Sequence, residues 1–153
     1  MLNGMLWSRG GQGDYDDWVT LGNPGWSWND MLPYFIRVSF DWLRYLCSSL
    51  TQAQSETFTP YNGYAPSANL VAFDPTVHGN SGPVNVSYSP FVFNQTWNFF
   101  NALSELGIPT TADTNDGTAA GTAFMPLDLD PVNQTRSTAR KAYYDPYTSR
   151  PNL

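Results

Sequence analysis

The sequence predicts an α+β fold from three patterned stretches set in loop-rich chain. Val84, Val86 and Tyr88 alternate with polar Asn85 and Ser87, the period-two signature of a half-buried strand. Trp97, Phe100, Leu103 and Leu106 recur at spacings of three, which lines one face of an amphipathic helix near 94–106. Two short helices, 14–19 and 28–37, flank Gly22-Asn23-Pro24-Gly25, a turn by composition.

Each element has local reasons. Asp14 and Asn29 are placed to cap the first two helices, because short polar side chains satisfy the free N–H groups of a first turn. Trp18, Leu21, Trp26 and Trp28 read as buried apolar anchors rather than ligand contacts. Residues 60–82 carry Pro60, Gly63, Pro66, Pro75, Gly79 and Gly82 and read as loop. Gly107 stops the helix that starts near 94, and 110–121 is small and polar. Met125 to Leu129 reads as a short strand. Thr135 or Ser137 caps a final helix that runs through Tyr144 and halts before Pro146.

Composition narrows the function classes. Charged residues are 13% of the 153 residues, about half the usual share, while aromatics reach 16%, so there is much ring surface to bury or to offer. A net charge of −6 with seven scattered basic residues excludes a phosphate-neutralising patch and so nucleic acid. No apolar run approaches the ~20 residues that span a bilayer. The single Cys47 excludes an internal disulfide framework and a cysteine metal cluster. Asn85-Val86-Ser87, Asn94-Gln95-Thr96 and Asn133-Gln134-Thr135 are glycosylation sequons, which point to secretion.

The opening residues carry the most information. Asn3-Gly4-Met5-Leu6-Trp7 leads to Arg9-Gly10, Asp14-Tyr15-Asp16-Asp17-Trp18 and Leu32-Pro33-Tyr34-Phe35. In order and spacing this resembles the N-G-M-x-[YW]-x-R-G-x3-D-[YF]-D-x-W run of the glucose-methanol-choline (GMC) family of FAD-dependent alcohol oxidoreductases, which includes aryl-alcohol oxidases and choline dehydrogenases. His78-Gly79-x2-Gly82-Pro83-Val84 is similar to that family's strand entry. Arg136-Ser137-Thr138-Ala139-Arg140-Lys141-Ala142-Tyr143, followed by Arg150-Pro151-Asn152-Leu153, is similar to its R-x-S-x-A-x-x-A-Y…R-P-N-L block. Three blocks in family order make the resemblance specific.

The resemblance implies part of a flavoprotein with an FAD-binding region and a substrate region built on an antiparallel sheet with helices. Residues 1–37 would form the FAD-lining motif and lid helices, and 55–153 part of the substrate domain. Asn3, Gly4, Met5 and Leu6 would line the cofactor, where a small-residue backbone can approach the ring closely. The full enzyme would oxidise a small-molecule alcohol, passing hydride to flavin. Met1 stands where the family's Gly-Gly-Ser-Ser turn ends, no G-x-G-x-x-G occurs, and the family's catalytic histidine pair has no counterpart. The chain is therefore expected to be an internal fragment of a fungal secretory enzyme that neither holds FAD nor turns over alone. A rival of another class is a secreted carbohydrate-binding protein that stacks sugars on its aromatic surface.

Other chemistry is bland. His78 reads as a loop organiser, not a general base, and one histidine without cysteines makes no zinc site. Asp128 and Asp130 read as solvated loop carboxylates rather than a glycosidase pair. Asp14, Asp16 and Asp17 lack the ligand spacing of an EF-hand.

Val38–Gln54, VSFDWLRYLCSSLTQAQ, interrupts the family pattern. Joining Arg37 to Ser55 restores it as PYFIR|SETFTP. Val-Ser can be encoded by a splice donor (GTGAGT), Leu50-Thr51 by a branch point and Gln54 by an acceptor (CAG). The segment therefore reads as a retained intron of 17 codons, with a true insertion as the alternative.

Overall fold

The computed structural model describes residues 4–36, 55–60, 71–118 and 120–151. Asn3 and residues 38–54, with Cys47, lie outside the described residues. The fold class is α+β, as expected. The elements are α1 (Gln12–Thr20), α2 (Trp28–Ile36), β1 (Glu56–Thr59), β2 (Val84–Ser87) and α3 (Asn94–Glu105), then a π-helical turn (Arg140–Tyr144) and a 3₁₀ turn (Asp145–Tyr147).

The first two helices pack as a hairpin, but their caps differ from expectation. Gly11, not Asp14, is the N-cap of α1, and Asp14 sits in the first turn with its carboxylate 3.4 Å from the Gly11 N–H. Ser27, not Asn29, opens α2. Its Oγ accepts from the Asp30 N–H at 3.2 Å, while Asp30 Oδ2 accepts from the Ser27 N–H at 3.1 Å. That reciprocal pair satisfies donors that a helix start leaves free. Asp16 then joins the two helices, accepting from the Trp28 N–H at 3.1 Å.

The tryptophans divide. Trp28 is buried against Tyr15 and Phe35, with ring centroids 5.5 Å and 6.2 Å away in turn. Trp18 and Trp26 are half exposed (53% and 50%) and stack on each other at 5.8 Å, and Leu21 is also exposed. The anchor reading is thus corrected for those three: mutual stacking removes part of each ring from water without a core. Gly117 closes over Trp28 from a distant loop. Its φ is +95°, and a Cβ there would stand 2.9 Å from Trp28 Cε2.

β1 and β2 form a parallel pair, Glu56 beside Val84 through Thr59 beside Ser87. β2 follows the expected alternation at Val84, Val86 and Tyr88, all buried. Ser87 is buried too, its Oγ donating to the Leu129 carbonyl at 2.9 Å. The core groups Phe58, Val71, Val84, Val86, Tyr88 and Ala142, with Trp7, Phe73, Phe124 and Tyr143 packed around it. Full burial of Val86 alone contributes about 1.5–3 kcal/mol.

α3 matches its predicted span within a residue. Phe100 is buried and stacks on Phe124 at 5.1 Å, whereas Leu106 is exposed and lies off the buried face. Gly107 (φ +79°) ends the helix by donating to Ser104 O at 3.0 Å, and Ile108 donates to Leu103 O at 2.9 Å, the paired bonds of a glycine C-cap.

Residues 125–129 make no strand. Pro126 interrupts the ladder, and Leu127 instead forms single antiparallel bridges to Leu6 and to Ser87. The final helix is likewise corrected. It is a π turn passing into a 3₁₀ turn that accommodates Pro146 near its start. Thr138, not Thr135 or Ser137, meets its free donors, with Oγ1 accepting from the Lys141 N–H at 3.2 Å, and Ser137 Oγ accepts from the Asn85 N–H at 2.9 Å.

Candidate functional site

Gly4, Met5 and Leu6 lie at the surface as one edge. Met5 has φ +61°, a left-handed conformation that is uncommon for a residue with a side chain and costs about 1–2 kcal/mol. The chain that follows it is tied down. Asp128 N–H donates to the Met5 carbonyl at 2.8 Å, and Trp7 N–H donates to the Pro126 carbonyl at 2.9 Å. Leu127 binds Ser87 on its other side in both directions, at 3.0 and 2.8 Å. The row 126–128 therefore couples the edge to β2. Gly4 is exposed, and Leu6 leaves 58% of its surface in solvent. Strain held in place by surrounding hydrogen bonds is a mark of functional segments.

Three residues after this edge, at Arg9, four ionisable side chains from separate stretches meet. Arg9 donates through Nη2 to Glu56 Oε1 at 3.0 Å and through Nη1 to the Val77 carbonyl. Glu56 Oε1 also takes His78 Nδ1 at 2.8 Å and the Gly79 N–H at 3.1 Å. His78 Nε2 meets Asp113 Oδ2 at 2.9 Å. Asp113 accepts further from the Asp74 N–H at 2.9 Å and the Asn115 N–H at 2.8 Å. All four side chains are buried, and the His78 ring stacks on Phe58 at 3.8 Å.

The electrostatics follow from this packing. Burial works against the charged ring of His78, but hydrogen bonds to Asp113 and Glu56 and their charges outweigh it, so its pKa is raised. Burial likewise opposes the Asp113 carboxylate, yet His78 and two backbone donors hold its pKa below the ordinary value. Burial lowers that of Arg9 against the pull of Glu56 and Asp113, and a guanidinium remains charged regardless. His78 is enclosed, so it organises the 77–82 loop and has no open face for a substrate proton.

Asp128 corrects the reading of solvated carboxylates. One of its oxygens is buried with no hydrogen-bond partner among the described residues, and burial pushes its carboxyl up, helped by Glu56 and opposed by Arg136. Asp130 does serve a turn, accepting from the Val132 and Asn133 N–H groups at 2.9 and 3.0 Å. Asp14 and Asp16 bond helix groups, as above. Of the residues expected to line a cofactor, Gly4, Met5 and Leu6 come together and Asn3 lies outside the described residues. Glu56 and Asp113 were not singled out from the sequence. The one signal available was Glu56 inside the Ser55-Glu56-Thr57-Phe58 stretch, two residues before a phenylalanine.

The GMC oxidoreductase family profile matches residues 1–153. The chain belongs to this family. Dehydrogenase xptC of Emericella nidulans is 36% identical over 152 residues, covering 99% of this chain and 22% of the relative. Glucose oxidase of Aspergillus carbonarius is 27% identical over 165 residues, covering all of this chain and 23% of the relative. An FAD-dependent oxidoreductase from Chaetomium thermophilum superposes with a TM-score of 0.76 at 41% identity, over 99% of this chain and 23% of that one. A fungal aryl-alcohol oxidase superposes with a TM-score of 0.70 at 26% identity, with the same coverages. This GMC chain thus spans less than a quarter of the length of these relatives.

The opening edge leaves room for an incoming group. Gly4 has no side chain to hold a ring away, the added Cβ would meet nothing closer than Leu6 Cγ at 3.5 Å, and Leu6 offers an apolar contact.

Proposed function

We propose that this chain is the flavin-edge and part of the substrate-side portion of an FAD-dependent oxidoreductase acting on CH–OH groups of small-molecule alcohols. The observation that carries the reading is left-handed Met5, its carbonyl held by the Asp128 N–H while its neighbours Gly4 and Leu6 stay open. Asn3, Gly4, Met5 and Leu6 are the residues assigned to the cofactor. Bound FAD would supply the hydride acceptor. Gly4 admits close approach, Leu6 excludes water from the contact, and the 126–128 row fixes the height of the edge. No side chain here is assigned acid–base work.

Secretion as a glycoprotein belongs to the same proposal. Asn94 and Asn133 are exposed, whereas Asn85 is half-buried in β2, so the first two are the acceptors. Among the described residues no helix is long and apolar enough to cross a membrane. A second reading, carbohydrate binding without flavin, is favoured by the exposed Trp18–Trp26 stack.

The test compares the 153-residue product with the longest open reading frame that contains it. Flavin absorbance is expected to copurify with the longer product and not with the shorter. Stoichiometric flavin on the 153-residue product would overturn the edge-only assignment. Glycan binding by a longer product that carries no flavin would replace the oxidoreductase reading with its rival.

A further inference from the structure

The buried quartet links the proposed cofactor edge to the rest of the fold through one oxygen. Glu56 Oε1 receives Arg9, His78 and the Gly79 N–H together. Arg9 lies three residues after Leu6, and its backbone carbonyl accepts the Tyr15 hydroxyl at 2.6 Å. Its other guanidinium nitrogen donates to Val77, the residue before His78. The segment that carries the edge is therefore clasped on both sides of His78.

We propose that His78 is a positioning residue whose clamp between Glu56 and Asp113 fixes Arg9 and, with it, the segment that carries Gly4, Met5 and Leu6. Each ring nitrogen faces a carboxylate oxygen. A ring nitrogen without its proton would point a lone pair at that oxygen, so two ionised carboxylates there call for both N–H groups. The imidazolium and guanidinium then balance two carboxylates, and the buried set is neutral. Removing the ring proton leaves one uncompensated negative charge in the interior, the costly case for a buried network.

Other charged or titratable groups face the clamp. Asp74 donates its N–H to Asp113, and its carboxyl feels the His78 charge. Tyr88, pushed up by burial, feels Asp113, and Asp128 feels Glu56. The ionised Asp74 carboxylate favours the charged ring. Phe58 and Phe73 complete the wall as uncharged rings. The role of the segment rests on the reading that it lines flavin, whereas the clamp itself does not.

His78 is the only histidine, so ring ¹⁵N spectra of the labelled 153-residue chain report one residue. Across about pH 5–9, both ring nitrogens are expected to be protonated at neutral pH, with a midpoint above the ordinary ~6.5. Glu56→Gln and Asp113→Asn should each lower that midpoint while keeping side-chain volume. As the ring loses its proton, amide exchange at Trp7 and Asp128 should accelerate relative to Leu103 in α3, by roughly tenfold for each unit the midpoint lies above ordinary. A merely local role would move Gly79 and leave Trp7 and Asp128 unchanged, and that result would overturn the proposal. So would a neutral single tautomer at pH ~7. The wild-type titration needs no variant to fold. If the ring and amides behave as stated but the longer product carries no flavin, the clamp stands and the oxidoreductase reading falls. Flavin on the longer product with a neutral His78 overturns the clamp alone.

Discussion

Replacing Gly117 with alanine tests how the loop at 113–117 holds the helical hairpin. The backbone there has φ +95°, and the new Cβ would lie 2.9 Å from Trp28 Cε2, 3.2 Å from Trp28 Cζ2 and 3.0 Å from Gln12 Cβ. Trp28 cannot retreat, because it is 3% exposed and walled by Tyr15 and Phe35. Nor can Gln12 easily, since its N–H donates to the Gly117 carbonyl at 2.8 Å. Backbone strain of ~1–2 kcal/mol and overpacking of ~1–3 kcal/mol together give a loss of roughly 2–5 kcal/mol. For a chain of this size that lowers Tm by about 5–15 °C. Thermal unfolding followed by tryptophan fluorescence measures it, with Gly13→Ala as the control, since nothing lies within 4 Å of a Cβ at Gly13 in α1. The control should be neutral or stabilised by about 0.5–1 kcal/mol. A Gly117→Ala transition that coincides with wild type would refute the packing argument.

Three further outcomes are expected. Ser27→Ala removes the reciprocal pair with Asp30 and should cost about 1 kcal/mol in urea unfolding, with Asn29→Ala, exposed and not the cap, giving a much smaller change. Stability against pH should be bounded on both sides. The raised pKa of His78 contributes stability fully present below its unfolded value of ~6.5 and lost as pH rises through the folded one, whereas the lowered pKa of Asp113 contributes stability present above ~3.9 and lost as pH falls. In His78→Gln the alkaline loss should flatten, and an unchanged alkaline limb would assign it elsewhere. Finally, mature transcripts should lack the codons for Val38–Gln54, and amplification of a message retaining them in every copy would establish a true insertion.

The sequence made the fold class and α3 legible because their signals are local. Alternation at Val84–Tyr88 and the spacing of Trp97, Phe100 and Leu103 lie within single elements. The neighbourhood of Glu56 was illegible for the opposite reason. Its partners Arg9, His78 and Gly79 stand 47, 22 and 23 residues away, so no window contains them. A glutamate at the head of Glu56-Thr57-Phe58-Thr59 also hides the strand, since such a residue is seldom buried without partners. Trp18 and Trp26 misled because an indole's preference for burial was met by another exposed indole. Asp128 misled because its burial depends on the return of the chain to Met5, a contact formed only by the tertiary fold.

The ties that hold the opening segment come from far along the chain, and this sets an order of events during synthesis. Trp7 accepts a hydrogen bond from Asn115, 108 residues later, and Leu6 bridges to Leu127 later still. At ~5–20 residues per second, the ribosome needs roughly 5–20 s after making Trp7 before its first such partner exists. Throughout that interval Met5 lacks the bond its carbonyl accepts from the Asp128 N–H. The strained edge is thus completed only once residues more than 100 positions further along have been made.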